Sequence, residues 1–318
     1  MKRIIGIGLF IFLGTAAFAQ TTTVSGTVAD DQGKAVPFAF IKDSQHNYAT
    51  FSNADGEFTL KADPASRLIA TCSNYQESIV GIDNQPNVKI VLKQGAGADK
   101  KAKSSDAFQI KEENTVEKWA RPLARFGTSK EDLHGSPYFF SDWVHGYTLT
   151  DKDSLRENDS YLFNYQKIDG VLLYTSDGKT MNMLDKSQAK KFVLFDGSGQ
   201  QATFEAVPEI DNKHYFQVLA SGSKYAIYKD LNTKFLKADF QTNGITTSGN
   251  NYDSYVDEAI YYVVKFPGGK PQKISLKRKA IKAAFAADAD KINKYLTDHD
   301  SDEVDDNFLK GAGEYMNN

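Results

Sequence analysis

The chain has 318 residues and carries 38 Lys and Arg against 41 Asp and Glu, a net charge of −3. This balance argues against a nucleic-acid binder, because such proteins need a basic surface to release counterions from phosphates. Hydrophobic residues make up 41% of the chain, so it can bury a core, and its length suits two domains. Cys72 is the only cysteine, which excludes an intrachain disulfide.

The first twenty residues have the three parts of a secretory signal peptide. Lys2 and Arg3 give the positive start, residues 4–13 are apolar apart from two glycines, and Ala17-Phe18-Ala19 is a small-x-small cleavage signal. An uncleaved anchor is the alternative, but the apolar run is too short to cross a bilayer. We therefore expect residues 1–19 to be a signal peptide. The mature chain should have no transmembrane segment and be exported, either periplasmic or secreted.

Residues 22–94 have the pattern of a small β-sandwich. Val24 and Val28 lie at strand spacing and lead into an Asp- and Gly-rich turn at residues 30–34, where we expect a hairpin. A second strand is expected at residues 38–41, and a second tight turn at residues 53–56. Short strands at this spacing, without a helical period, predict an all-β sandwich.

In combination these residues resemble the carboxypeptidase regulatory-like domain, a prealbumin-type β-sandwich. Ser73-Asn74-Tyr75 departs from that family, which usually has Gly before the Tyr. The resemblance implies a non-catalytic accessory module of Gram-negative envelope proteins, so the peptidase in the family name implies no peptidase activity here. The matching residues are Val24, Gly26, Val28, Asp30, Gly33, Pro37, Ala39, Ile41, Thr50, Asp55, Gly56, Phe58 and Leu60.

A linker is predicted at residues 95–115, because the segment begins with small and charged residues and lacks an apolar anchor. A second domain is predicted at residues 116–276. Trp119, Leu123 and Phe126 stand at helical spacing and indicate a short helix near its start.

Strand signals joined by short turns dominate from Gly146 onward. They predict an antiparallel β-meander, either a curved sheet or an incomplete barrel. This part resembles uncharacterised secreted proteins of Gram-negative bacteria through the segments 135–138 and 222–225, which implies a shared fold and indicates nothing about an activity.

Residues 277–318 are predicted to be a short helical tail. An apolar stripe at helical spacing indicates one helix over residues 280–296, and Ser301 is predicted to cap a last helix. The basic run 277–279 is expected either to pair with the acidic run 298–306 or to stay solvated. The predicted fold is therefore mainly β: a sandwich, a linker, a meander and a helical tail.

The motifs lead us to nominate no catalytic, cofactor-binding or metal-ligating residue, and no cofactor is expected. Zinc carboxypeptidases use an H-x-x-E pair, and no histidine here has Glu three residues later. Cys72 lies in an apolar strand, where inert packing is the expected role. The acidic segment 298–302 lacks the turn glycine and closing Glu of a calcium loop. The five histidines are His46, His134, His145, His214 and His299.

One aromatic cluster has two interpretations. Its rings would either form an exposed platform for a sugar or peptide, or pack in the core, and we favour core packing. The cluster consists of Tyr138, Phe139, Phe140, Trp143 and Tyr147.

Three functional hypotheses follow. The first is an exported, non-enzymatic envelope or secreted accessory protein that binds a protein, peptide or glycan, or acts in assembly. The second is a hydrolase, which would place His145 or His214 in a pocket beside a carboxylate. The third is a carrier that holds an apolar ligand in a cavity enclosed by the meander.

Overall fold

The computed structural model describes residues 21–95, 133–242 and 246–318. Strands account for 43% and helices for 14%, so the predicted mainly β fold is confirmed. The expected signal peptide, the helix near Trp119 and most of the linker lie outside the described residues. The strands are β1 Thr22–Asp30, β2 Phe40–Asp43, β3 Ala49–Phe51, β4 Glu57–Ala62, β5 Arg67–Thr71, β6 Ser78–Gly81, β7 Asn87–Leu92, β8 Leu133–His134, β9 His145–Leu149, β10 Leu155–Glu157, β11 Leu162–Gln166, β12 Val171–Thr175, β13 Asn182–Met183, β14 Lys191–Phe195, β15 Gln201–Glu205, β16 Phe216–Ser221, β17 Tyr225–Leu236, β18 Gln241–Thr242, β19 Thr247–Ser248, β20 Asp253–Lys265 and β21 Gln272–Ile274. The helices are α1 Arg278–Ala284, α2 Ala289–Asp298 and α3 Asp306–Asn317.

The first seven strands form a sandwich of two sheets, ordered β4-β1-β7 and β3-β2-β5-β6. Apolar side chains from both sheets fill the space between them. The expected turn at residues 30–34 folds the chain back on the end of β1, where Ala29 and Ala35 form an antiparallel bridge. The hairpin stops there, because β1 pairs with β4 and β7 while β2 lies in the opposite sheet. Gly26 is required where β1 meets β7, since a Cβ there would overlap the carbonyl oxygen of Val88. The second strand begins at Phe40 because Phe38 has a φ of 56°, a left-handed conformation that interrupts a strand.

A nine-stranded sheet forms most of the remaining chain, and we call it the large sheet. It is open, its main path is β10-β9-β14-β15-β16-β17-β20-β21, and β8 pairs with β20. The predicted antiparallel meander is interrupted in two places. Strands β18 and β19 form a separate pair along the chain between β17 and β20. Strands β11, β12 and β13 leave the path and form a separate three-stranded sheet, which we call the small sheet.

The apolar run in β14 explains why the meander is interrupted. Phe192 and Leu194 face the small sheet and join its core, whereas Val193 and Phe195 face the sandwich. Since successive side chains of a strand point to opposite faces, a strand that is apolar throughout needs a cover on each side. The small sheet provides one cover and the sandwich provides the other.

The C-terminal helices pack against the face of β16, β17 and β20 that carries Tyr225 and Ile227. The single predicted helix over 280–296 is divided, because the chain leaves helical geometry at the fully buried Phe285 and α2 begins at Ala289. The last helix is capped by Asp305, whose carboxylate accepts from the Phe308 N–H at 2.8 Å, so the prediction of Ser301 is wrong.

Arg278 in the basic run pairs with backbone and not with acidic side chains. Its guanidinium donates to the carbonyl oxygens of Leu296, His299, Asp300 and Asp302 at 2.7 to 3.2 Å. A guanidinium satisfies such carbonyls well because it presents several donors in one plane. This contact ties the start of α1 to the turn after α2.

Replacing Asn317 with Ala is expected to lower the free energy of unfolding by about 2 kcal/mol. The Asn317 side chain accepts from the Tyr225 N–H at 2.9 Å and donates to the Tyr225 carbonyl at 3.0 Å, which attaches α3 to β17. Urea denaturation of the variant should show the loss. The control is Asn318→Ala at the exposed neighbouring position, and equal stability of the two variants would contradict the assignment.

Candidate binding cleft between the sandwich and the large sheet

The sandwich packs on β9 and β14 through aromatic side chains. Phe51 of β3 stacks on Phe195 with ring centroids 5.6 Å apart, and Phe40 of β2 meets Tyr147 edge-on at 5.8 Å. The Tyr147 hydroxyl donates to the carbonyl of Ala49 at 3.1 Å. All four rings are buried, so this interface fixes the relative position of the sandwich and the large sheet.

A cleft opens at the rim of this interface and contains two adjoining cavities. The larger has a volume of about 640 Å³ and the smaller about 210 Å³, and His145 and Asp159 line both. The remaining residues of the larger cavity are Ser160, Leu162, Thr175, Ser176, Asp177 and Gly178, which come from the chain after β10 and from the small sheet and its turn, not from the sandwich. Those of the smaller cavity are Phe38, Phe40, Thr71, Cys72, Ser73 and Glu157, which come from the sandwich and from β10.

Strand pairing places the polar side chains of the cleft. Glu157 of β10 lies opposite Tyr147 of β9, so both side chains point to the sandwich. His145 points the same way because it stands two residues before Tyr147. Asp159 lies in the turn that follows β10, where it lines both cavities together with His145. The hydroxyl of Ser73 donates to this carboxylate and so links the sandwich to the chain after β10.

The position of Glu157 changes the proton affinity of its carboxyl group. Burial at the interface raises its pKa from 4.5 to about 7, the nearby charge of Asp159 adds to the rise, and Lys42 opposes it. Glu157 is therefore partly protonated near neutral pH and can both donate and accept hydrogen bonds in the cleft.

His145 is held by aromatic packing. Its ring stacks on Phe38 at a centroid distance of 4.8 Å and lies 5.6 Å from the ring of Phe51. Burial lowers the pKa of His145, although the charge of Asp159 opposes this effect. The imidazole is consequently neutral at pH 7, and it forms one wall of both cavities.

Cys72 faces the smaller cavity at the end of β5 and is half-buried. Burial raises the pKa of its thiol, and the negative charges of Asp159 and Glu157 raise it further. Cys72 thus carries a protonated thiol at neutral pH, which is the less nucleophilic form.

The other four histidines stand apart from this cleft in local contacts. His46, His214 and His299 each face an aspartate three residues away in sequence, at 3.3, 3.2 and 3.8 Å. His134 stacks on Tyr252 at 4.0 Å. Among the described residues, no group of three or more His, Cys, Asp and Glu is arranged to hold a metal ion.

The aromatic cluster near residue 140 contributes mainly to packing. Phe139 and Phe140 pack against the core between the large and small sheets, and Tyr147 belongs to the sandwich interface. Tyr138 and Trp143 are half-buried. These positions favour core packing over the exposed platform that was the alternative.

Aromatic rings also fill the space between the large and small sheets. Phe192 stacks on Phe204 at 5.0 Å, Tyr165 lies 4.4 Å from Phe204, and Tyr215 meets Phe192 edge-on at 4.9 Å. The hydroxyls of Tyr165 and Tyr215 donate to backbone carbonyls at 2.9 and 2.8 Å. This packing leaves the carrier hypothesis without support in this part of the fold.

Sequence reasoning named His145 and Cys72 but not Glu157 or Asp159. Those two carboxylates stand in a short polar stretch that matches no motif. The pairing of β10 with β9 brings Glu157 to the cleft, and the turn after β10 brings Asp159 there. The signal available in the sequence was the period of two along β10, which places positions 155 and 157 on one face.

No helix in the described part of the chain is long and apolar enough to cross a membrane. Comparisons of the chain with protein-family models, with curated proteins and with solved structures found no match.

Proposed function

We propose that this is an exported, non-enzymatic accessory protein that binds a basic segment of a partner protein in the cleft at the rim of the sandwich interface. The observation that carries the proposal is the composition of the cleft: the sandwich lines the smaller cavity, the small sheet lines the larger one, and His145 of the large sheet lines both. Binding sites commonly form where two folded units meet, because each unit supplies one rigid wall. The resemblance of residues 22–94 to a non-catalytic accessory module agrees with this role.

The charge of the cleft favours a cationic ligand. Asp159 and Asp177 line the larger cavity, and none of its described lining residues is Lys or Arg. Hydrogen bonds from the backbone N–H groups of Thr180 and Lys179, at 2.6 and 2.8 Å, hold the pKa of Asp177 well below its usual range. Its negative charge therefore persists at any physiological pH. The exposed hydroxyls of Ser160 and Ser176 add acceptors for an arginine or lysine side chain.

The expected result is that a short peptide with a central arginine binds more tightly than the same peptide with citrulline, its uncharged analogue. Fluorescence anisotropy at low salt would measure the affinities of both peptides. About 1 M salt should remove the difference in affinity, because salt screens the charges of an open cleft. An Asp159→Asn, Asp177→Asn double variant should also lose the preference for arginine. Asp169→Asn, an exposed aspartate in another turn, is the matched control. Equal binding of both peptides to the wild-type protein would contradict the proposal.

A hydrolase is the second candidate, because His145 lies in a cavity beside carboxylates and Cys72 lines the same cavity. Such an enzyme would need a thiolate, whereas the surroundings of Cys72 raise its pKa. Alkylation by iodoacetamide at pH 7 distinguishes the candidates. We expect Cys72 to react more slowly than free cysteine, and a faster reaction that His145→Ala abolishes would favour the hydrolase.

A further inference from the structure

A basic surface lies along the free edge of the large sheet, away from the cleft. Between Glu258 and Asp288 the chain has seven basic residues and no acidic one. This stretch comprises the end of β20, the terminal strand β21 and helix α1. We use the name basic edge for five exposed lysines of this stretch, Lys270, Lys273, Lys277, Lys279 and Lys282, together with the exposed side chains of Phe266 and Leu276.

The five lysines of the basic edge are available to a partner. All are exposed, and no carboxylate among the described residues forms an ion pair with any of them. The two other basic residues of the stretch are engaged within the protein. Lys265 lies 3.7 Å from Asp288, and Arg278 donates to backbone carbonyls. The positive charge of the five lysines is thus not neutralised inside the molecule.

Two large apolar side chains accompany the lysines. Phe266 and Leu276 are each 38% exposed and lie beyond the two ends of β21. Strand β21 pairs with β20, with Ile274 opposite Tyr261, so Phe266 lies at the turn end of this hairpin and Leu276 follows its other end. Lysines therefore lie between and beside two apolar side chains on one border of the molecule.

Protection of the sheet edge does not account for all of these lysines. Lys273 lies on the terminal strand, where a charged side chain discourages pairing with another chain. Lys279 and Lys282 are in α1, and Lys277 is the residue that precedes it, so these three lie outside the strand. Edge protection therefore accounts for Lys273 and not for these three lysines.

We propose that the basic edge binds the surface of an anionic lipid bilayer. Clustered lysines are attracted to the negative headgroups, while exposed aromatic and aliphatic side chains enter the interface. A nucleic acid fits less well, because the only arginine of the stretch is occupied and the whole chain has a net charge of −3. This proposal is independent of the cleft and of its ligand.

The test is sedimentation of the mature chain with vesicles of phosphatidylcholine, with and without phosphatidylglycerol. We expect binding only to the anionic vesicles, and about 1 M NaCl should abolish it. In the variant Lys273→Glu, Lys277→Glu, Lys279→Glu, the partition coefficient should fall by at least about 100-fold, since each basic residue near the membrane contributes roughly a factor of 5.

The matched control is Lys61→Glu, Lys89→Glu, Lys93→Glu, which changes the net charge equally at exposed positions of the sandwich. This control variant should keep most of the binding to anionic vesicles. Leu276→Ser distinguishes binding to a bilayer from binding to polyanions in general. It should weaken vesicle binding, because an apolar side chain is lost, and leave binding to soluble heparin unchanged. Equal loss in both triple variants, no binding of the wild-type protein to anionic vesicles, or tighter binding to a DNA duplex than to vesicles would each overturn the proposal.

Discussion

Replacement of Phe51 by Ala is expected to lower the free energy of unfolding by about 3–5 kcal/mol and to let the sandwich unfold separately from the large sheet. Phe51 is 3% exposed and contacts Phe40, Phe195 and His145, but it lies outside the core of the sandwich itself. Its loss therefore leaves a cavity at the interface and both cores intact. Differential scanning calorimetry should show one transition in the wild-type protein and two in the variant.

A double-mutant cycle with Phe195→Ala tests whether the effect arises at the interface. Because the two rings stack on each other, the double variant should lose less stability than the sum of the single variants. Phe240→Ala serves as the control, since this ring is 51% exposed and its removal should change the stability little. Additive effects, or a single transition in Phe51→Ala, would contradict the assignment of this interface. Phe51→Ala should also disrupt the cleft, and weaker binding of the arginine peptide to this variant would show it.

Glu157→Gln is expected to stabilise the protein above pH 7 and to have no effect near pH 4. The folded state raises the pKa of Glu157 from 4.5 to about 7, so it binds the proton more tightly than the unfolded chain does. Below pH 4.5 the carboxyl is protonated in both the folded and the unfolded state, so burying it carries no charge penalty. As the pH rises from 4.5 to 7, the wild-type protein loses roughly 3 kcal/mol of stability, and Gln avoids this loss.

Urea denaturation at several pH values would measure this difference. Glu77→Gln, at an exposed position, is the control and should have the same stability as the wild-type protein throughout. His145 acts in the opposite direction, because its lowered pKa makes protonation below about pH 6.5 destabilising. The variant should therefore still lose stability toward acid. A constant difference between Glu157→Gln and wild type across pH would contradict the burial of this carboxyl.

The same carboxyl links pH to the proposed binding. A cation in the cleft would stabilise the ionised form of Glu157 and lower its pKa, so binding would release a proton. The arginine peptide should consequently bind more tightly as the pH rises from 6 to 8, an interval that spans the pKa of about 7. This dependence should disappear in Glu157→Gln.

Local patterns in the sequence were enough to predict the class of fold. Alternating apolar residues in β4 and β7 face the core of the sandwich as a period of two requires. Antiparallel strands joined by a short turn are found at β16 and β17, and helices follow the last strand, as predicted. These features depend on neighbours within a few residues, so the sequence alone determines them.

Contacts distant in the sequence decided the remainder. The pairing of β1 with β7 depends on the close approach that Gly26 permits, and a strand pattern does not specify its partner. The small sheet exists because β14 is apolar on both faces, and Phe285 divides the predicted helix because it is buried in the core. Cys72 and Glu157 are far apart in the chain, yet they line one cavity because the sandwich packs on β9. The sequence by itself determined a mainly β fold, and the packing of its sheets decided where the cleft lies and which carboxyl group within it has a raised pKa.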